Sequence, residues 1–267
     1  MERLVKEAEE LAEQGVKELI LVAQETTLYG KDIYGEKKLP ELLKKLAKIG
    51  GIQWIRVLYC YPEEITEELI QVMKEEAKIC HYLDLPIQHA SDRILKRMGR
   101  RTTQADLRHI IGRLREEIPD ICLRTTLITG FPGETEADHE ALMEFVNESE
   151  FDRLGVFTYS PEEGTPAASF PDQIENEVAE KWRDDIMALQ QEVSYDKNQE
   201  LLGKTLTVLI EGYVAEDDVY VGRTYRDAPD VDGMVFVDAP YELMSGTFVQ
   251  VRITDANEYD LTGEMIE

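Results

Sequence analysis

Polar clusters recur directly after short apolar runs, and they hold most of the side chains able to do chemistry. Gln24-Glu25-Thr26-Thr27 follows Val22-Ala23, and Tyr59-Cys-Tyr-Pro62 follows Leu58. Gln88-His89 and Ser91-Asp92 follow Asp84-Leu-Pro-Ile87. Gly130-Phe-Pro-Gly-Glu134 follows the run from Arg124 to Thr129, and Tyr159-Ser160-Pro-Glu-Glu163-Gly-Thr165 follows Thr158. Amides, hydroxyls and carboxylates of this kind can hydrogen-bond a polar ligand, and Gly130 and Gly133 allow backbone to approach one closely. Arg124 lies within an otherwise apolar run. A buried guanidinium needs a carboxylate, supplied either by a core residue or by a ligand. Each cluster also has a plainer reading as a solvated loop, with Ser91 and Thr135 capping helices. His89 has no nearby His or Cys partner, so no metal ligand is assigned to it.

Cys60, Cys80 and Cys122 are the only cysteines. No CxxC, CxxxC or Cys/His pairing is present, so neither a local metal site nor a disulfide framework is read, and three buried thiols are expected. The net charge of −26 repels phosphate backbones and favours basic partners, although acidity serves solubility as well. The main basic island is Arg93, Lys96, Arg97, Arg100 and Arg101. It suits either a helix C-terminus or an acidic group. No apolar run reaches the roughly 20 residues of a membrane helix, and a soluble cytoplasmic protein is expected.

Short buried strands must position these clusters. Apolar runs at 18–23, 55–59, 82–86, 121–129 and 152–158 alternate with helices at 64–78, 103–117 and 135–148. An amphipathic helix ending at Gly15 precedes them. This βα rhythm predicts a parallel sheet with right-handed crossovers. Five strands are too few for a closed eight-stranded barrel, so an open, partial (β/α) barrel is expected, with its active groups at the C-terminal strand ends. Opening on a helix suggests that a preceding strand is missing. A long helical stretch runs from Ile174 to about Leu202. Five short strands then follow, at 206–210, 219–221, 234–237, 248–253 and 261–266. Asp232-Gly233, Ser245-Gly246 and Thr262-Gly263 read as turns, and the whole as a small β-barrel. The expected units are residues 1–202 and 203–267.

In order along the chain, Leu21-Val-Ala-Gln-Glu-Thr-Thr-Leu-Tyr-Gly30, Leu83-Asp-Leu-Pro-Ile-Gln-His-Ala-Ser-Asp92, Lys96-Arg-Met-Gly-Arg100, Arg124 to Glu134 and Phe157-Thr-Tyr-Ser-Pro-Glu-Glu-Gly-Thr-Pro-Ala167 resemble motifs of the radical S-adenosylmethionine methylthiotransferases. The tail, with Gly222-Arg-Thr-Tyr-Arg-Asp-Ala-Pro229, resembles a TRAM domain. Val22 to Thr27 and Ser160 to Gly164 resemble the branch that methylthiolates an aspartate of the twelfth small-subunit ribosomal protein. A tRNA adenosine methylthiotransferase of the same family is the alternative, and a non-catalytic binding module is a third. The resemblance implies S-adenosylmethionine and two 4Fe–4S clusters. The family's cluster cysteines, a CxxxCxxC loop and an N-terminal trio, have no counterpart in this sequence. A fragment is therefore expected, inactive alone, with no cluster and no metal or catalytic residue of its own.

The resemblance further implies that Gln24, Gln88 and Arg124 contact S-adenosylmethionine, at its amino group, ribose and carboxylate respectively. Tyr159, Ser160, Glu163 and Thr165 fall on the substrate side. TRAM domains are introduced as RNA binders, yet residues 201–267 carry four basic and fourteen acidic residues, a net charge of −10. That sign favours a basic small-subunit ribosomal protein over nucleic acid as the tail's partner.

Overall fold

The computed structural model describes residues 1–266. Five parallel strands, β1 (Glu18–Leu21), β2 (Trp54–Val57), β3 (Ile79–Asp84), β4 (Cys122–Thr129) and β5 (Arg153–Thr158), lie side by side in chain order. Helices α1 (Glu2–Glu13), α2 (Lys31–Tyr34), α3 (Leu39–Leu46), α4 (Glu67–Glu75), α5 (Asp92–Arg97), α6 (Gln104–Glu117) and α7 (Glu136–Ser149) precede or connect them. The sheet stays open: β1 pairs only with β2, and β5 only with β4, among the described residues. This is the expected partial barrel.

The core lies between strands and helices. Leu123, Leu127, Leu83, Ile55 and Val57 pack there against Leu43, Met73, Leu107, Leu142 and Phe145, each with at most 1% exposure. Helix boundaries follow from capping. Thr103 and Thr135 each form a reciprocal capping box, with Asp106 and Asp138 respectively. The helix read at 64–78 is shorter because Thr66 caps its N-terminus and Glu76 leaves helical geometry.

A long helix, α8 (Asn176–Gln199), covers β5 and leads to β6 (Thr205–Val214), β7 (Val219–Arg223), β8 (Val235–Asp238), β9 (Phe248–Ala256) and β10 (Leu261–Ile266). These five close into a barrel in the order β10-β8-β7-β6-β9. One expected turn is corrected. Thr262-Gly263 lies inside β10, where the register with β9 shifts, and a Cβ on Gly263 would sit 2.4 Å from Val251 Cγ1. The glycine serves close strand packing at a bulge rather than a reversal. No helix among the described residues is long and apolar enough to cross a membrane.

The small barrel seals the N-terminal end of the sheet with buried ion pairs. Glu18 on β1 accepts from Arg56 on β2 (2.8 Å) and from Arg223 on β7 (2.7 Å). Arg153 on β5 meets Asp227, and Arg226 meets Asp152, each at 2.7 Å. Tyr82 on β3 donates to Asp232 at 2.7 Å. The opposite end of the sheet is left open.

Candidate functional site

The open end gathers the five strand exits. Beyond β3 the chain stays extended: Leu85 N donates to Arg124 O (2.8 Å), Gln88 N to Thr126 O (2.9 Å), and Ile128 N to Gln88 O (2.8 Å). Gln88 has φ +70, a left-handed geometry that costs a non-glycine residue roughly 1–2 kcal/mol and that the surrounding bonds enforce. Its side chain reaches a cavity of about 390 Å³ between the exits of β3, β4 and β5. Period-two alternation supplies the wall: Thr126 and Ile128 share a face of β4, and Phe157, in register with Ile128, remains 62% exposed.

Three residues that line this cavity each carry a buried polar atom without a hydrogen-bond partner: Gln88 Oε1, Arg100 Nη1 and the Tyr159 hydroxyl. An unsatisfied buried group costs about 1–3 kcal/mol, and a ligand that meets all three regains that energy. Arg100 is held by its Nη2, which donates to Pro86 O (3.0 Å), and its guanidinium lies 4.4 Å over the Tyr61 ring. The free Nη1 is suited to a carboxylate, Gln88 and Tyr159 to hydroxyl or amine groups, and Ile128 with Phe157 to a flat apolar group.

The cavity does not collect every candidate. Ser160 joins Tyr159 at its edge, whereas Glu163 and Thr165 sit on an exposed turn closed by Thr165 Oγ1 donating to Glu162 O (2.8 Å). Gln24 is exposed and lines a separate cleft on the outer side of β1. Arg124 lies outside this cavity. It shares the face of Thr126 but lies deeper, donating from Nη1 to Asp84 Oδ1 (2.8 Å) with Nε 3.4 Å from Asp232 of the small barrel. Core carboxylates engage its guanidinium, and Arg100 is the cation that lines the cavity. Arg100 was visible in sequence as one member of the basic island and as the last residue of the Lys96–Arg100 motif, with no ligand contact assigned to it. Within that island Arg93 pairs with Asp138 and Arg97 donates to Pro132 O (3.0 Å), so both brace loops. Thr126, Ile128 and Phe157 fall within the motifs at the β4 and β5 exits but were not singled out there; alternation along the strands is the signal that could have found them.

His89 is a brace. Ser91 N donates to its Nδ1 (2.9 Å), which places the proton on Nε2, facing Glu134 Oε1 at 3.2 Å. The second oxygen of Glu134 accepts from Gly130 N (2.6 Å) and Phe131 N (3.1 Å). Both ring nitrogens are therefore engaged, and the β3 and β4 exits are tied together.

Glu25 links the exits of β1 and β2, accepting from Tyr61 N (3.1 Å) and Thr27 N (3.0 Å). Burial pushes its carboxyl up to about 7, against those hydrogen bonds and with help from Glu63 and Glu64. A carboxyl raised in the folded state contributes stability that is complete below its ordinary 4.5 and is lost as pH rises through about 7. Glu25→Gln should therefore gain on the parent between about pH 5 and about pH 8 when thermal midpoints are compared. Parallel pH profiles for the two proteins would remove this assignment.

The fold falls within a known class. The chain belongs to the radical SAM superfamily, whose profile matches residues 1–146, and the TRAM domain profile matches residues 202–266. Its relatives include the ribosomal protein uS12 methylthiotransferase RimO of Lachnoclostridium phytofermentans, 61% identical over 98% of this chain and 60% of that protein. The proteins of the same name from Desulfitobacterium hafniense and Acetivibrio thermocellus are 53% and 55% identical over 100% of this chain, and 60% and 59% of theirs. The chain thus spans about 60% of the length of these curated relatives. A solved methylornithine synthase, PylB, shares the fold at TM-score 0.50 and 17% identity, over 71% of this chain and 53% of that one.

The two cofactors of the class fit this chain differently. The cavity's cation, amide, hydroxyl and apolar wall match the carboxylate, ribose and adenine of S-adenosylmethionine. An iron–sulfur cluster does not fit. No group of three His, Cys, Asp or Glu residues able to hold a metal exists among the described residues. The three cysteines are buried and free, and burial raises Cys60 well above the usual thiol range and Cys80 to about 12, which disfavours the thiolate that iron needs.

Proposed function

We propose that this chain is the S-adenosylmethionine-binding and partner-docking part of a methylthiotransferase that acts on an aspartate of ribosomal protein uS12 in the cytoplasm. The observation that carries this reading is the cavity at the β3–β5 exits, lined by Gln88, Arg100 and Tyr159, each with a buried unpartnered polar atom, and by Ile128 and Phe157. The likeness to the uS12 enzymes adds the substrate class.

S-adenosylmethionine, when bound, would supply the methyl group and the group-transfer chemistry. The residues of this chain orient and enclose it. Arg100 holds the carboxylate, Gln88 accepts from the ribose, and Phe157 and Ile128 take the adenine. Tyr159 and Ser160 face the side from which a substrate enters, with Glu163 and Thr165 further out on their turn. Gln24 sits on the neighbouring β1 exit. Residues 1–202 form the ligand-binding unit and 203–267 the docking unit.

Saturation-transfer NMR with S-adenosylmethionine on this chain should show adenine and ribose protons in contact. Arg100→Ala should weaken that binding by roughly tenfold to a hundredfold, the worth of a charge-assisted hydrogen bond. No transfer to the nucleoside, or equal binding by the variant, would remove the proposal. Anaerobic reconstitution of the chain with iron and sulfide should leave it without the brown thiolate–iron absorption. A stoichiometric chromophore would contradict the reading of its cysteines.

The small barrel's own charge points to a basic partner. Of its four cations, Arg223 and Arg226 are buried against Glu18 and Asp152, and Arg252 pairs with Glu264. Burial of Asp227 and Asp232 offsets that of the two arginines, so its outer surface keeps the net charge of −10, which favours a basic ribosomal protein over tRNA.

A further inference from the structure

We infer that Asp84 is a positioning residue: it latches the β2 exit loop, and that loop sets both the β1 exit and the guanidinium of Arg100. Asp84 is 3% exposed at the end of β3. Its Oδ1 accepts from Arg124 (2.8 Å), its Oδ2 from Tyr59 N (3.1 Å), and its carbonyl from Cys60 N (2.9 Å). Tyr59 has φ +58, a left-handed geometry unfavourable for a residue with a side chain, so the loop needs a restraint to remain there.

The restrained loop passes its position on. Tyr59 O accepts from Thr26 N (2.9 Å), and Leu58 O from Thr26 Oγ1 (2.6 Å), which fixes the turn carrying Gln24 and Glu25. Two residues on, Tyr61 N donates to Glu25, and the Tyr61 ring lies beneath Arg100 at 4.4 Å. One carboxylate therefore orders both the β1 exit and the cation of the cavity. Arg124 neutralises Asp84 and is itself anchored near Asp232, so the small barrel supports the latch from below.

The inference rests on the strand exits being the ligand-binding face, but its test needs no ligand. Hydrogen exchange by mass spectrometry is followed in segments 23–28 and 57–62, with β9 and β10 as internal reference. Asp84→Ala should speed exchange in both segments by roughly tenfold, the loss of one buried hydrogen bond, and leave the reference unchanged. Asp84→Asn keeps an acceptor for Tyr59 N and should stay close to the parent. Adding Tyr59→Gly to the Asp84→Ala variant should restore part of the protection, because glycine takes φ +58 without strain.

Tyr59→Pro, which leaves the Asp84–Arg124 pair intact but forbids both the donor and the positive φ, should open the same two segments even if Asp84→Ala does not fold. Unchanged exchange in these segments, an equal rise in the reference strands, or the asparagine and alanine variants behaving alike would overturn the inference. Any of these would leave S-adenosylmethionine binding at the cavity untouched, since that is read separately by NMR.

Discussion

Arg56→Met should destabilise the chain by about 3–5 kcal/mol, the cost of removing one partner of a buried ion pair. Arg56 is fully buried. It donates to Glu18 Oε1 (2.8 Å) and to Tyr225 O (2.7 Å), and its guanidinium lies 4.6 Å over the Tyr82 ring. Methionine fills much of the volume, so the loss arises mainly from Glu18, which keeps only Arg223, and from the Tyr225 carbonyl, which keeps no donor. Because Arg56 and Arg223 bind the same carboxylate from two units, the substitution should also separate their unfolding. Denaturant titrations followed by fluorescence of Trp54 and Trp182, both in residues 1–202, and by circular dichroism, which reports both units, should cease to coincide and show two transitions. A loss under about 1 kcal/mol with a single transition would show that the interface is not held by this network.

That network also marks what the sequence conceals. The five parallel strands were legible because each is an apolar run between turn signals, and the small barrel because five short runs follow one another closely. Boundaries were less legible. The strand read as Tyr82–Pro86 begins at Ile79, since Ile79 and Cys80 also continue the helical pattern of α4, and the extended stretch after Asp84 bonds β4 without lengthening the named strand. Helix α3 was missed because its eight residues lie between glycine-rich turns.

The site was legible in part for the same reason. Gln88, Tyr159 and Ser160 are at one cavity because strand exits converge in any sheet of this kind. Which arginine lines the cavity was not decidable, because Arg124 is claimed by Asp84, forty positions away, and by Asp232, in the other unit. Partner choice among buried charges is settled by tertiary packing, and neither spacing nor alternation encodes it.

Docking of a basic ribosomal protein on the small barrel should be salt-sensitive and should depend on carboxylates with no partner of their own. Glu216, Asp217, Asp238 and Glu242 are exposed, and none forms an ion pair among the described residues. An exposed pair is worth about 0.2–1 kcal/mol, so four acting together supply roughly 1–4 kcal/mol and much of the association rate. Replacing all four with Lys should weaken binding of purified uS12 by the whole chain about a hundredfold. The fold should be retained, because none of the four side chains is buried. Between about 50 mM and about 300 mM salt the parent should lose roughly tenfold in affinity, as the screening length falls to a few ångströms, and the Lys variant should lose far less. Both proteins are measured by titration calorimetry against uS12 and against tRNA, with circular dichroism as the check on folding. A parent that binds tRNA tightly with a steep salt slope and ignores uS12 would reverse the assignment, since counterion release from phosphates would then be driving the association.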